Sequence, residues 1–193
     1  MEIKKLSYYI NQAKIIKPKN HNKKIRIAFL GSFTLNGFEE TIQVQCNEEK
    51  INCTTYNAPY NQYNQEILNE NSDLYKFNPD IIFFLIDNRT ILDKLFYFPY
   101  EYSEDDRRKF VEEKYSELKN LIKTISKNLQ SKLVITNFVI PTYSPFGIFE
   151  SKVEFGLKDV ILDLNKKLNE LSKSQDSVYL YDFNSFVTKF GEK

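Results

Sequence analysis

The sequence predicts an α/β protein, a three-layer α/β/α arrangement around a five-stranded parallel sheet in the order 2-1-3-4-5. Three observations predict it. Five runs rich in β-branched and aromatic residues alternate with segments of helical spacing. The two strongest, Ile25–Leu30 and Ile81–Ile86, are apolar almost without interruption, as strands covered on both faces are. No run is joined to the next by a hairpin turn of the Asn-Gly kind, so helical crossovers connect them.

In chain order, Leu6, Tyr9, Ile10, Ala13 and Ile16 recur at helical spacing and predict an amphipathic helix over 2–16, which caps the sheet or belongs to a neighbour. Lys17-Pro-Lys-Asn-His-Asn-Lys-Lys24 is a solvated connector with Pro18 as helix stop, so residues 1–23 precede an α/β core over 24–193 in a single domain. The first strand ends at Gly31, which turns the chain sharply. A helix over about 37–49 follows, carrying Phe38, Ile42, Val44 and Cys46, and then the weakly alternating Ile51–Tyr56, an edge strand. Asn57–Gln65 has no clean period and is an ordered loop into a short helix around 65–69, and Ser72 caps another with Leu74, Tyr75 and Phe77 inward. Pro79–Asn88 is the central strand, and Thr90 opens a short helix ending near Pro99. Ser103–Asp106 resembles a capping box and starts a helix to about Leu129, striped by Val111, Leu118, Ile122 and Ile125. Lys132–Ile140 is the fourth strand, stopped by Pro141 and followed by an aromatic loop over 142–149. Ser151–Glu154 is a second capping box for a helix to about Leu171. Val178–Phe183 is the last strand, with a short helix over 184–190 after it.

Composition excludes several functions. The 27 Lys and Arg nearly balance 26 Asp and Glu, so no global field draws the protein to nucleic acid or an anionic membrane. No apolar run is long enough to span a bilayer and no secretory signal opens the chain, which leads us to expect a cytoplasmic protein. Cys46 and Cys53, without a Cys-x-x-Cys or a Cys/His cluster, read as reduced packing residues, and no metal or cofactor is expected.

Right-handed crossovers with one reversal make the order flavodoxin-like and put the first and third strands side by side at the switch point. Ser32 and Asn88, at the ends of those strands, are therefore expected to face one another across one crevice. Gly31, Thr34 and Asp87 flank them, and Asn57, Tyr60 and Tyr63 lie on the loop after the second strand. A serine nucleophile needs a base and donors for the oxyanion. Backbone N–H groups after Gly31 and the Asn88 amide are the expected donors. The base is missing: His21 is the only histidine and precedes the first strand, whereas a doubly wound serine hydrolase places its base after the last one. Asp87 and Asp182 end strands and could orient a histidine, but are weak bases alone. Plainer roles are open for each residue: Ser32 and Asn88 as turn or cap residues, Asp182 as the cap of the last helix, His21 as an exposed linker residue. A phosphate or flavin site at Ser32 and Thr34 lacks the expected glycine-rich loop.

Two resemblances bear on these residues. Phe29-Leu-Gly-Ser-Phe-Thr34 resembles the first block of SGNH (GDSL-type) hydrolases, with Ser32 at the nucleophile, although Leu30 and Gly31 stand where Gly and Asp are usual. Pro79–Asn88 resembles their third block, with Asn88 at the oxyanion asparagine, Ile86 replacing its Gly and Arg89 its Asp. No glycine lies between Gly37 and Gly147, so the second-block glycine is missing. Over nearly the whole chain, Ile25–Leu35, Tyr56-Asn-Ala-Pro-Tyr-Asn-Gln-Tyr-Asn-Gln-Glu-Ile67, Ser72-Asp-Leu-Tyr-Lys-Phe-Asn-Pro-Asp80 and Tyr179-Leu-Tyr-Asp-Phe183 resemble the N-terminal SGNH-like domain of FkbH-like proteins. That resemblance implies a partner domain of the haloacid-dehalogenase (HAD) type, in cis or in trans, linked to moving a glyceryl unit onto a carrier-protein thiol. The HAD aspartate motif is absent from this chain, and the Asp-x-x-His block of the family is expected beyond Lys193. Two functions are thus expected: a domain handling an acyl or glyceryl ester or thioester, free or on a carrier protein, with Ser32 as nucleophile and Asn88 as oxyanion donor, or a non-catalytic module binding substrate or carrier protein for a HAD-type phosphatase or glyceryltransferase domain.

Overall fold

In the computed structural model, residues 4–16 and 21–191 are described. The start of the expected first helix (2–3) and half of the connector (17–20) lie outside the described residues. The chain divides into two compact units: one runs to Leu85 and takes in Lys127–Leu133, and the other holds Ile86–Ser126 and the chain from Val134 on.

The first unit contains α1 (Leu6–Ile15), β1 (Lys23–Gly31), α2 (Phe38–Glu48), β2 (Ile51–Asn57), α3 (Tyr63–Leu68), α4 (Asp73–Phe77) and β3 (Ile81–Leu85). α1 packs against α2, with Leu6 over Gly37. A Cβ at Gly37 would lie 2.5 Å from Leu6 Cδ1, and its φ of +84° favours glycine. β1 pairs parallel with β2 (Phe29 opposite Asn57) and with β3 (Gly31 opposite Leu85). Every residue from Ile27 to Ser32 is buried, as the apolar run predicts. Phe29 is the centre of this unit's core, stacked on Phe83 and edge-on to Phe38, each at 5.4 Å between centroids.

Asp80 fixes where β3 begins. Its carboxylate accepts from Arg26 N (2.7 Å) and Arg26 Nη2 (3.2 Å), its own N–H donates to Arg26 O, and its carbonyl accepts from Lys132 N. Ser72 does not cap α4 with its side chain. Its hydroxyl donates to Glu66 O at 2.7 Å, and the Glu66 carboxylate, from the preceding helix, takes Leu74 N instead. Cys46 and Cys53 are free, half-buried thiols, and burial pushes the Cys53 thiol up to about 12, so it keeps its proton at neutral pH.

The chain continues through α5 (Asn88–Leu92), α6 (Lys94–Tyr97), a 3-10 turn at Pro99–Glu101, α7 (Glu104–Asn128), β4 (Lys132–Thr136), a 3-10 stretch at Gly147–Lys152, α8 (Leu157–Lys173), β5 (Val178–Tyr181) and α9 (Phe183–Phe190). The five strands form one parallel sheet in the order β2-β1-β3-β4-β5, the order expected from the sequence. The Ser103 box forms as expected: Asp106 N donates to Ser103 Oγ, and Ser103 N to the Asp106 carboxylate, both at 3.2 Å.

Three local expectations are corrected. The helix expected from Thr90 to Pro99 is broken at Asp93, whose φ is +46°, and begins earlier because Asp87 caps it. β4 ends at Thr136, not Ile140, because side chains take its further amides: Phe138 N donates to Asn165 Oδ1 and Ile140 N to Asn184 Oδ1. Ser151 and Lys152 end the 3-10 stretch, and the Ser151 hydroxyl donates to Ile148 O (3.2 Å) in place of capping α8. α8 starts after Gly156, whose N–H is taken by Asp159, while Lys158 N is taken by Glu150. Among the described residues, no helix is long and apolar enough to cross a membrane.

Candidate functional site

In the first unit, the carboxyl ends of β1 and β2 carry most of the expected residues. Gly31 is the last residue of β1 and has no positive φ. What excludes a side chain there is Leu35, whose Cδ1 would lie 2.9 Å from a Cβ, so Gly31 serves close packing more than a sharp turn. Ser32 follows it and is 1% exposed. Its N–H donates to Leu85 O at 3.0 Å, extending the β1–β3 pairing by one residue past the strand. The loop after β2 closes over this tip through Ala58 N to Phe29 O (2.9 Å) and Asn61 N to Gly31 O (3.2 Å). Tyr63 is buried edge-on against Phe84 at 5.4 Å, a core residue in place of an open binding group, whereas Tyr60 is 68% exposed and Asn57 and Thr34 are also exposed.

In the second unit, Asp87 and Asn88 organise the start of α5 and the exit from β4. Asp87 Oδ1 accepts from Arg89 N (2.7 Å) and Thr90 N (3.1 Å), and its Oδ2 from Thr90 Oγ1 (3.0 Å). The Asn88 amide donates to Val139 O, so one of its two protons is committed within the fold. Asparagines that the sequence did not single out shape the same loop. Asn165 holds Phe138 by both its N–H and its carbonyl, and Asn137 joins Asn184 N to the Asp182 carboxylate.

The base expected of a serine hydrolase is not supplied by this chain's histidine. His21 is half-buried, not an exposed linker residue: its Nε2 lies 3.4 Å from Asn47 Oδ1 and its carbonyl accepts from Asn52. β1 lies between His21 and Ser32, and at about 3.3 Å per residue it holds them more than roughly 25 Å apart. After β5, where a doubly wound hydrolase places its base, stand Asp182-Phe-Asn-Ser185. This has the Asp-x-x spacing expected only beyond residue 193, with serine in the histidine's place. Asp182 is the cap of α9, taking Ser185 N (3.0 Å) and Ser185 Oγ (2.6 Å). Among the described residues, no group of three or more His, Cys, Asp or Glu is placed to hold a metal ion.

The Ser185 hydroxyl and N–H, with Asn137, hold the Asp182 carboxyl below the usual carboxylate range. Its folded pKa is thus depressed relative to the unfolded chain. The stabilisation is fully present above the ordinary value near 4 and is lost as the pH falls through the lower folded one. The protection of the Ser185 amide, its exchange relative to an unstructured peptide at the same pH, is therefore expected to fall on acidification, and Asp182→Asn to remove that dependence. An unchanged profile in Asp182→Asn would place the titration elsewhere.

A family model described as the N-terminal domain of FkbH matches residues 26–193. Among solved structures, the N-terminal part of BF1531 from Bacteroides fragilis, which contains a phosphatase domain and was crystallised with Mg, superposes with a TM-score of 0.80 at 17% identity. The match covers 98% of this chain and 48% of that one, so this chain spans about half the length of that relative. A GDSL-like lipase from Parabacteroides merdae gives 0.59 at 18% identity, covering 90% and 84% of the two chains. An acetyl xylan esterase, AlAXEase, gives 0.52 at 14% identity, covering 86% and 83%. At these identities the likeness is one of fold. A search of curated proteins finds no match.

Proposed function

The chain belongs to the FkbH N-terminal domain family, and from that premise we propose that it is a binding module of SGNH type. It holds an acyl or glyceryl ester or thioester at the Ser32 tip of β1, without hydrolysing it, for a phosphatase or glyceryltransferase domain of the HAD type, in cis or in trans. The observation that carries this reading is what surrounds the serine chemistry. The Ser32 N–H is spent on Leu85 O, an amide proton of Asn88 on Val139 O, and the only histidine sits at the far end of β1. With the sole histidine of the sequence at the far end of β1, the Ser32 hydroxyl has no imidazole to take its proton and serves as a hydrogen-bonding group.

The second reading is an esterase or acyltransferase with Ser32 as nucleophile and Asn88 donating its remaining amide proton to the oxyanion. It is favoured by the place of Ser32, directly after β1 at the carboxyl end of the sheet where open α/β folds bind ligands. Calorimetric titration with S-acetyl and S-glyceroyl N-acetylcysteamine separates the two. The binding reading expects the thioester to be recovered intact, and Ser32→Ala to bind it about fivefold more weakly through loss of one neutral hydrogen bond. Turnover that Ser32→Ala abolishes would favour the second reading, and no binding by either protein would exclude both.

A further inference from the structure

α9 is an amphipathic helix whose apolar side the described residues cover only in part, Phe183 and Val187 being half-buried and Phe186 and Phe190 exposed. Phe183, Phe186, Val187 and Phe190 fall at i, i+3, i+4 and i+7 and so form one stripe. Their rings run in a continuous row with Tyr181 of β5: Tyr181 to Phe186 at 6.3 Å, Phe183 stacked on Phe186 at 6.0 Å, Phe186 to Phe190 at 4.7 Å. Yet no residue of α9 is buried, and Phe186 and Phe190 are 44% and 52% exposed. The contrast within the same unit is α8, whose inward stripe of Leu157, Val160, Ile161, Leu164 and Leu168 is buried throughout. The polar ties to α9 fall in its first turn: Asp182 caps it, Asn137 ties Asn184 N to the Asp182 carboxylate, and Asn184 Oδ1 accepts from Ile140 N. An eight-residue helix has little stability of its own in water, and a row of open aromatic rings is the surface that a partner covers.

We propose that this stripe is the docking face for the phosphatase-type domain, and that α9 is completed by it. The occupant follows from the matched relative. BF1531 carries a phosphatase domain in a chain about half of which lies outside the match, the family description places the matched part N-terminally, and α9 is the described element nearest the C-terminal side of that match. A domain joined after such a helix is held close to the helix's exposed side, where a modest apolar contact suffices. The inference rests on the reading that this chain serves a domain of that type.

Hydrogen exchange measured by mass spectrometry tests it, on this chain alone and with the phosphatase-type domain encoded with it, in the same polypeptide or an adjacent frame. The expected result is that the amides of 186–190 slow by about tenfold or more in the partner's presence. Phe186→Ser and, separately, Phe190→Ser, both at exposed positions, are expected to abolish that protection while leaving thioester binding at Ser32 unchanged. Protection that appears elsewhere and spares α9 overturns the docking face but leaves the binding reading standing. Protection of α9 that grows with the concentration of this chain alone, with a dimer in sedimentation, assigns the stripe to a second copy and overturns the proposal. Absence of any complex, or of any encoded phosphatase-type domain, overturns the docking face and the service to such a domain together.

Discussion

Arg107→Ala is expected to lower the stability of the chain by about 3–5 kcal/mol and its thermal midpoint by roughly 10 °C. Arg107 is 5% exposed, and its guanidinium works as a tie between two irregular segments. Nη1 donates to Pro99 O (3.2 Å) and to Tyr102 O, Nε to Phe155 O (2.8 Å) and Nη2 to Glu154 O (2.9 Å). These partners are all main-chain carbonyls in segments with few regular backbone bonds, so removing the fork strands one buried and three partly buried acceptors at once. Lysine is a poor substitute, because an ammonium is a point charge that cannot present donors in a planar fork to both segments. Arg107→Lys is therefore expected to recover less than half of the loss. Urea unfolding with an unchanged m-value checks both variants, and a loss below about 1 kcal/mol for alanine would mean that water replaces the fork without cost.

The second large effect is expected in the first unit. Phe29→Ala removes a ring with no exposed surface, packed between Phe38 and Phe83, and should cost about 3–5 kcal/mol. Phe29→Leu, which keeps most of the volume, should cost about 1.5 kcal/mol or less. The consequence reaches the site, because Phe29 O receives Ala58 N and so anchors the loop that closes over the β1 tip. Thioester affinity is expected to fall with the alanine variant even where the chain is still folded, and to survive in the leucine variant. Thermal unfolding followed by titration at a temperature well below the midpoint separates the two losses.

The strand order was legible because its signals are local and redundant. β1 and β3 are apolar runs without polar interruption, helical segments separate all the strands, and crossover handedness leaves few orders for five parallel strands. The start of α7 was equally legible, since Ser103 and Asp106 meet within one turn. What escaped is where long-range side chains overrule local pattern. Val-Ile-Thr-Asn-Phe-Val-Ile140 reads as strand, but Asn165 and Asn184 take its later amides. The only hint was an asparagine next to Leu164 inside an otherwise apolar stripe. Ser151–Glu154 matches a capping pattern that Glu150 and Asp159 pre-empt from either side.

Of the expected site residues, Gly31 ends β1 and Ser32 follows it, whereas β3 stops at Leu85, short of the expected Asn88, and Asp87 and Asn88 are the cap and first residue of α5. Their roles were less legible, because the Asn88 bond to Val139 and the Ser32 bond to Leu85 join residues about fifty positions apart. The aspartate after β5 was visible in the sequence, but its service to Ser185 depends on where that strand stops.

The most direct test is a fluorophosphonate probe applied to the folded chain and read by intact mass and peptide mapping. A hydroxyl that contacts an ester with no imidazole to activate it should remain unmodified over hours, and wild type and Ser32→Ala should give the same spectrum. A single phosphonyl adduct on Ser32, formed rapidly and lost in Ser32→Ala, would contradict this and make the protein a serine hydrolase in its own right.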